Sequence, residues 1–584
     1  MIRKAGILTT LLLGLSVGAI LHAQGQEEDT GDDPSRGVAR VSFLQGDVDV
    51  RRGDSGEMVA AAINAPLMSQ DHIQTSNGSL AEIQFDSANL VRIAGGSDLG
   101  LADIRYRRYQ VQLGVGTIQF AVLRDSSADV EIDTPSVSVK PLGRGEFRIS
   151  VNPDGTTAIT ARTGQLEVYS PRGSQQLTSG RTMLVRGSGD DPEFQTINEI
   201  ALDNFDNWNQ SRDGELLQSR SYQYVSPDIG GADDLDNYGS WVDSSYGTVW
   251  SPRVSADWAP YRAGRWAWED YYGWTWVSDD PWGWAPYHYG RWFWNGGSGW
   301  CWWPGAIHSS YYWRPALVGF FGFGGSNWSV GIGFGNIGWV PLAPYERWRP
   351  WYGRGWYGRG WDGYGRNAYL ANVNIFNSYR NARVNRGVSY SAFNQFGQGR
   401  GRYGYASAAD LRGASLLQGR LPVTPSRASL NWSNRGASAM PRMNRAENQR
   451  FFTHNRVTNV SRVSFAQQQQ HVSEYAQHAF SVRLPADGYR SGSGSQNMRG
   501  FANASGSRSE FERGGVSSRS SGFTRQNDAS GSLFGQAGDS NRSFGTVGCD
   551  SRQRGMQTVA GNDRAGRSSE RSSQGGWQRF GDPG

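Results

Sequence analysis

"WAPYRAGRWAWEDYYGWTW" (residues 258–276) and "WAPYHYGRWFWNGGSGWCW" (residues 284–302) are two copies of one pattern. Trp258 is matched by Trp284, Arg265 by Arg291, Trp266 by Trp292 and Trp274 by Trp300, always 26 residues apart. A fixed period means one small structural unit used twice. Each copy reads as a β-hairpin: Gly-Arg-Trp-x-Trp is one strand, a five-residue turn follows (269–273, then 295–299), and Trp-x-Trp returns. Side chains alternate along a strand, so Trp266 and Trp268 share a face, as do Trp274 and Trp276. Glycine-rich hairpins have few other ways to gather apolar area. An indole buries about 150–250 Å², and a cross-strand aromatic pair adds about 0.2–1 kcal/mol. The pattern therefore predicts a mainly β domain whose rings are chiefly interior.

Three of the 24 tryptophans, Trp208, Trp432 and Trp577, lie elsewhere; the other 21 fall between Trp241 and Trp361. A second reading of this density is a recognition surface, because exposed Trp and Tyr rings stack on sugar faces and Trp, Tyr and Arg are enriched at protein interfaces. On that reading the candidate binding residues are Arg265, Trp266, Tyr271, Tyr272, Tyr287, His288, Tyr289, Arg291 and Trp292. Arg265 and Arg291 are placed to lie over indole faces.

Working outward, residues 39–187 alternate with period two and carry recurrent turn signals, the pattern of many short antiparallel strands. "VSFLQGDVDVRRG" gives two strands about Gly46 and Asp47, and "AEIQFDSANLVRI" a hairpin turning at 86–89. "YQVQLGVGTIQFAV" carries Gly114 and Gly116 between its apolar pairs, and "FRISVNPDGTTAITA" turns at Asn-Pro-Asp-Gly. A linking helix is predicted over 195–222, with Ile197, Ala201, Phe205 and Trp208 on one stripe. The tryptophan-rich domain covers 235–352, followed over 353–430 by a Gly/Arg linker and a partly ordered extension. From 431 to 584 Ser, Gly, Arg, Asn and Gln dominate, too little apolar content to offset ordering entropy, so a disordered tail is expected, with a short helix near "VSFAQQQQHVSEYAQHAF".

The first 23 residues read as a secretory signal peptide: Arg3 and Lys4, then an apolar run to Leu21, then Ala23. An acidic linker (24–38) follows, and the chain is expected to be periplasmic or secreted, with no membrane span after cleavage. Lys4 and Lys140 are the only lysines, so 56 of the 58 basic residues are arginine, and the net charge is a modest +5. Cys301 and Cys549 lie in unlike contexts, and no disulfide is expected.

The ordered set "DHIQTSNGSLAEIQF", "LGVGTIQFAV", "VEIDTPSVSVKPLGRGEFRISV" and "TARTGQLEVYSP" resembles the periplasmic FecR domain. Family members that act in signalling carry a cytoplasmic anti-sigma segment and a transmembrane helix before it; here the preceding residues read as a signal peptide. The resemblance therefore implies a periplasmic β module that meets another protein. "LDNYGSW", "YGTVWSP", "WAPYRAGRWAW", "GWTWVSDDPWGWAPYHYGRW" and "GWVPLAPYERW" resemble the uncharacterised tryptophan-rich DUF6600 type, which commonly follows a FecR-like domain and implies no activity.

Chemistry-bearing patterns are weak. "GFGNIG" matches Gly-x-Gly-x-x-Gly, but the prolines of "WVPLAP" cannot continue the helix a dinucleotide site needs. The seven histidines show no metal-ligand spacing, and the first copy has Arg262 where the second has His288. No nucleophile motif stands out. The "GRGWYGRGWDGYGRN" segment resembles nucleic-acid binders, but an exported chain rarely meets RNA. The expectation is a non-enzymatic envelope binding or scaffold module, signalling-associated, with no cofactor or metal, an envelope protein as partner and no nucleic acid. The alternative is a glycan- or peptidoglycan-binding module.

Overall fold

The computed structural model describes residues 36–187, 189–324, 334–352, 369–372, 374–399, 403–438, 449–457, 462–481 and 576–581. The expected signal peptide, most of the acidic linker, the Gly/Arg segment, Cys549 and residues 482–575 of the tail lie outside the described residues. The protein is mainly β, as expected. Among the described residues no helix is long and apolar enough to cross a membrane.

The first module is two antiparallel layers around one aliphatic core. In one layer Ala39–Gln45 pairs with Leu80–Gln84, and Asn89–Ile93 follows. Gly145–Val151, Thr157–Thr163, Arg181–Arg186 and Glu193–Asn198 then extend that layer. The other layer holds Val48–Arg51, His72–Thr75 and Asp98–Arg105. "RYQVQLGVGTIQFAV" is one 15-residue strand, Arg108–Val122, which serves both layers. It turns from one to the other at Gly116, whose φ of 99° suits glycine. One pairing departs from the antiparallel expectation: Asp129–Asp133 runs parallel to the first half of that strand.

The linking helix is shorter than expected and docks by charge. Residues 195–198 belong to the strand Glu193–Asn198, and Asp203 starts the helix Asn204–Leu217 through a capping box with Asp206. Its buried face is Asp206, Asn209, Asp213 and Leu216 rather than an apolar stripe. Arg148 and Arg162 reach Asp206 at 2.6 and 2.9 Å, and Arg92 reaches Asp213 at 2.6 Å. Phe205 and Trp208 pack only partly, Trp208 against Phe43 at 5.3 Å.

Both tryptophan hairpins form in the expected register. Gly264–Glu269 pairs with Gly273–Ser278, placing Trp266 opposite Trp276 and Trp268 opposite Trp274. Arg291–Asn295 pairs with Gly299–Trp303, placing Trp292 opposite Trp302 and Trp294 opposite Trp300. The two units do not share a sheet. The second joins Gly239–Ser244 and Gly247–Pro252 in a four-stranded sheet, whereas the first stands alone as two strands. The glycine of each Gly-Arg-Trp is structural: Gly264 and Gly290 have φ of 155° and 63°. A Cβ there would sit 2.4 Å from Val277 O and 2.3 Å from Trp303 O.

The first hairpin is wholly buried because both its faces are used. Trp266, Trp268, Trp274 and Trp276 face the aromatic core of the tryptophan-rich module, and Ala267 and Val277 enter the aliphatic core of the first module. Arg52, from the first module, closes the junction. It donates to Glu269 at 3.0 and 2.8 Å, to Asp54 at 3.2 Å and to Trp268 O at 2.9 Å. A second buried arginine, Arg40, meets Asp234 at 2.5 Å and Gln84 at 2.7 Å.

Two boundaries move. The partly ordered extension contributes strands Tyr369–Asn372, Ser389–Ala392, Gly404–Tyr405 and Ser415–Gln418 to a six-stranded sheet with Val318–Phe323 and Asn336–Pro341. Gly335 and Gly338 of "GFGNIG" lie in or beside that sheet, away from any helix start. Several pieces beyond residue 431 are also placed. Trp432 is buried with its indole N–H donating to Glu269 at 2.6 Å. The helix Phe465–Ser481, close to the short helix expected there, packs with Phe465 and Val472 buried. Their few apolar residues dock on an existing core instead of building their own.

Candidate functional site

The repeat residues proposed as binding groups divide into two sets. Trp266, Tyr287, His288 and Trp292 are completely or nearly completely buried. Trp266 stacks on Phe396 at 5.6 Å and meets Trp276 edge-on at 5.4 Å. Trp292 donates to Pro286 O, and Tyr287 donates to Asp280 at 2.6 Å. His288 Nδ1 lies 2.7 Å from Arg314 O, and burial pushes its pKa down to about 3, so it is neutral at ordinary pH. Arg265 is buried and donates to Asn434 at 2.9 Å; Arg291 is half-buried and donates to Gly290 O. These six are not an exposed recognition surface. The rings face inward because each hairpin has no aliphatic core of its own to cover.

Tyr271, Tyr272 and Tyr289 belong elsewhere. They line a cleft of about 220 Å³ where the two modules meet. Tyr271 and Tyr272 occupy the tip of the first hairpin, and Tyr271 takes a left-handed φ of 68° that turns the chain there. The opposite wall comes from the first module: the turn at 85–88, and residues 105–109, where Asp98–Arg105 turns into the long shared strand. The floor and rim are Asp228, in the segment between modules, and Tyr311, Tyr312 and Trp313, after the second hairpin.

Asp228 gathers the cleft. Its carboxylate accepts from Tyr106 Oη at 3.0 Å, from Arg107 at 2.9 Å and from the Tyr311 backbone N–H at 3.2 Å. Asp86 plays the same part deeper in, accepting from Tyr109 Oη at 2.8 Å and from the backbone of its own turn. The rings pack face and edge: Tyr106 on Tyr312 at 5.2 Å, Tyr272 on Trp313 at 4.9 Å, Tyr272 on Tyr352 at 5.0 Å. Arg36 lies over Tyr271 at 4.4 Å, and Tyr272 Oη donates to Arg36 O at 3.2 Å. Burial, and then the hydrogen bond to Asp228, pushes Tyr106 up to about 12. Burial likewise holds Tyr109 and Tyr289 well above the usual tyrosine range.

Neutral phenols, three arginines (Arg36, Arg105, Arg107) and three carboxylates (Asp86, Asp125, Asp228) make this wall amphipathic and charge-balanced. Tyr271, Tyr272 and Tyr289 are themselves buried in it, and the hydroxyls of Tyr106, Tyr109 and Tyr272 already donate to Asp228, Asp86 and Arg36 O. The groups it exposes for stacking and directional bonds include the Tyr312 ring and the Arg107 guanidinium. Among the described residues no group of three His, Cys, Asp or Glu stands close enough to hold a metal ion. Sequence reasoning missed Tyr106, Tyr109, Asp228 and Tyr311–Trp313. The signal was present in "YRRY" and "SSYYW", tyrosine groups like "DYY" and "YHY" but outside the repeat.

Residues 71–167 match the FecR protein family, and residues 232–346 match DUF6600, a family of unknown function, in the order expected. No curated protein matches the chain. Two crystal structures, at 2.50 and 1.65 Å resolution, of a protein from Parabacteroides distasonis described as a candidate anti-sigma factor are similar at 23% identity. The similarity covers 22% of this chain and 60% of that one, with a TM-score of 0.20. The chain is thus similar to FecR proteins in its first folded module and to a family of unknown function in its tryptophan-rich one.

Proposed function

We propose that the protein is an exported cell-envelope module that works by binding, not by catalysis, and that its partner is another envelope protein in a signalling-associated assembly. The tyrosine-lined cleft is its recognition site. The observation that carries this reading is the convergence on Asp228 of Tyr106 and Arg107 from the first module and Tyr311 from the second. A site assembled by both modules gives their fusion a purpose. Tyr, Trp and Arg around a partly desolvated pocket are also the composition of protein-binding hot spots. The similarity to FecR proteins supports a regulatory, non-enzymatic role in the envelope. His288, deep in the aromatic core and held neutral by burial, offers no general acid or base at the repeats. Trp266, Tyr287 and Trp292, among the rings on which glycan stacking rested, are interior, which supports a protein partner over a glycan.

The test is site-specific photo-crosslinking in the envelope. A photoreactive phenylalanine analogue at Tyr312, 37% exposed at the rim, should give a discrete protein adduct, and the same group at exposed Leu142 should not. The adduct should weaken when Tyr106→Ala is added, under conditions where urea unfolding shows that chain to be still fully folded. No adduct at Tyr312, or the same adducts from both positions, would remove the cleft as the binding site.

A further inference from the structure

The first module's sheet does not end at Glu193–Asn198. Its outer edge is occupied by residues 576–581, near the chain's far end: Gln578–Arg579 pairs antiparallel with it, Phe194 opposite Gln578 and Glu193 opposite Arg579. This is strand addition, the mode by which sheet edges take up extended peptides. Four of the five residues 577–581 make a distinct contact of their own. Phe580 is 1% exposed, inserted in the aliphatic core with its ring 4.6 Å from Phe194. Arg186 covers Trp577 at 4.0 Å. Arg579 stands 3.7 Å from Asp191 and 3.8 Å from Glu193. Gly581 has a φ of 85°, and a Cβ there would lie 2.6 Å from Arg172 O, so only glycine fits.

We infer that this edge is a peptide-recognition site for a Trp-x-Arg-Phe-Gly strand, occupied in one molecule by its own residues 577–581 and fitted to the same segment of a second copy. Main-chain pairing supplies the strand direction and register, and the Phe580 pocket with the Arg186 and Asp191/Glu193 contacts supplies the choice of sequence. An edge that merely needed blocking would not require a buried anchor, a stacked ring, an ion pair and a glycine-only contact in five consecutive residues. The site lies away from the tyrosine-lined cleft and does not depend on its role.

The experiment uses full-length chains and a labelled peptide with the sequence of residues 576–584, followed by fluorescence anisotropy. A Trp577→Ala/Phe580→Ala chain, whose own terminus can no longer hold the edge, should bind the peptide at least tenfold more tightly than the unmodified chain. The peptide carrying Phe580→Ala should bind neither. A second arm mixes that chain with an Arg186→Glu/Glu193→Arg chain. The swap keeps the pair these residues form at 3.0 Å but sets a carboxylate against Trp577 and a guanidinium against Arg579. One chain then has an open edge and the other a free terminus, and sedimentation should show a one-to-one complex that neither forms alone. Equal peptide binding by the modified and unmodified chains, or none by either, overturns the site. Absence of the mixed complex overturns the second copy as its partner.

Discussion

Trp268 and Trp294 hold the same position in the two copies of the repeat, 26 residues apart, yet one is 4% exposed and the other 47%. If burial sets the worth of these rings, truncating each to alanine must have very different costs. Trp268 loses about 150–250 Å² of buried indole surface, worth about 4–6 kcal/mol at ~25 cal/mol per Å². It also leaves Gln468 Oε1 without the indole N–H that donates to it at 2.7 Å. Buried Trp→Ala changes fall at about 3–5 kcal/mol, so about 4–5 kcal/mol is expected. Trp294 covers Trp300 edge-on at 5.9 Å with much of its other surface wet. Its removal forfeits roughly half the area and leaves a dent that water fills, about 2 kcal/mol. The assay is urea unfolding of full-length chains, followed by the near-ultraviolet circular dichroism of the indoles. Losses within ~0.5 kcal/mol of each other, or a larger loss for Trp294, would refute burial as what distinguishes the copies.

Arg52→Lys should destabilise the protein by about 3 kcal/mol in the same assay, because an ammonium cannot fork between Asp54 and Glu269 and a buried carboxylate is left poorly paired. Gly264→Ala and Gly290→Ala should each cost about 1–3 kcal/mol through the left-handed backbone and the carbonyl contacts a Cβ would meet. Asp280 is raised to about 6 by burial. The folded state therefore holds a proton that the unfolded chain releases above pH 3.8, and the residue's contribution to stability falls as pH rises from about 4 through 6. Asp280→Asn should gain on the unmodified chain over that interval; a stability difference constant between pH 4 and pH 7 would contradict this. Glu82 runs the other way. Held at about 2 within its buried pairs with Arg92 and Arg212, it supports folding above pH 4.5 and loses that support as pH falls through about 2. Glu82→Gln should therefore flatten the acid limb of the unfolding curve.

Much of the architecture could be read along the chain. Period-two alternation, the Asn-Pro-Asp-Gly turn and the 26-residue repeat are local signals, set by backbone sterics and by which face of a strand is apolar. They located the strands of the first module and the register of both hairpins. The helix at 204–217 was legible as a helix, but its start and its buried face were not, because that face is mostly polar: Asp206, Asn209 and Asp213. Its worth depends on Arg92, Arg148 and Arg162, which lie far away in sequence. The tail beyond residue 431 was misjudged in part for a similar reason: composition averages over a window, while docking needs only Trp432, Phe465 or Phe580 to meet a core that already exists.

The candidate site divides in the same manner. Tyr271, Tyr272 and Tyr289 were visible in the repeat, but their partners Tyr106, Asp228 and Tyr311 are joined to them only when the two modules pack. Strand periodicity says that Trp266 and Ala267 point to opposite faces. It cannot say that both faces are covered, one by the tryptophan-rich core and one by the aliphatic core. Which rings end up dry, and that the cleft lies between modules rather than on the repeats, follows from how surfaces distant in sequence share their burial. That is settled by three-dimensional packing, which local pattern does not encode.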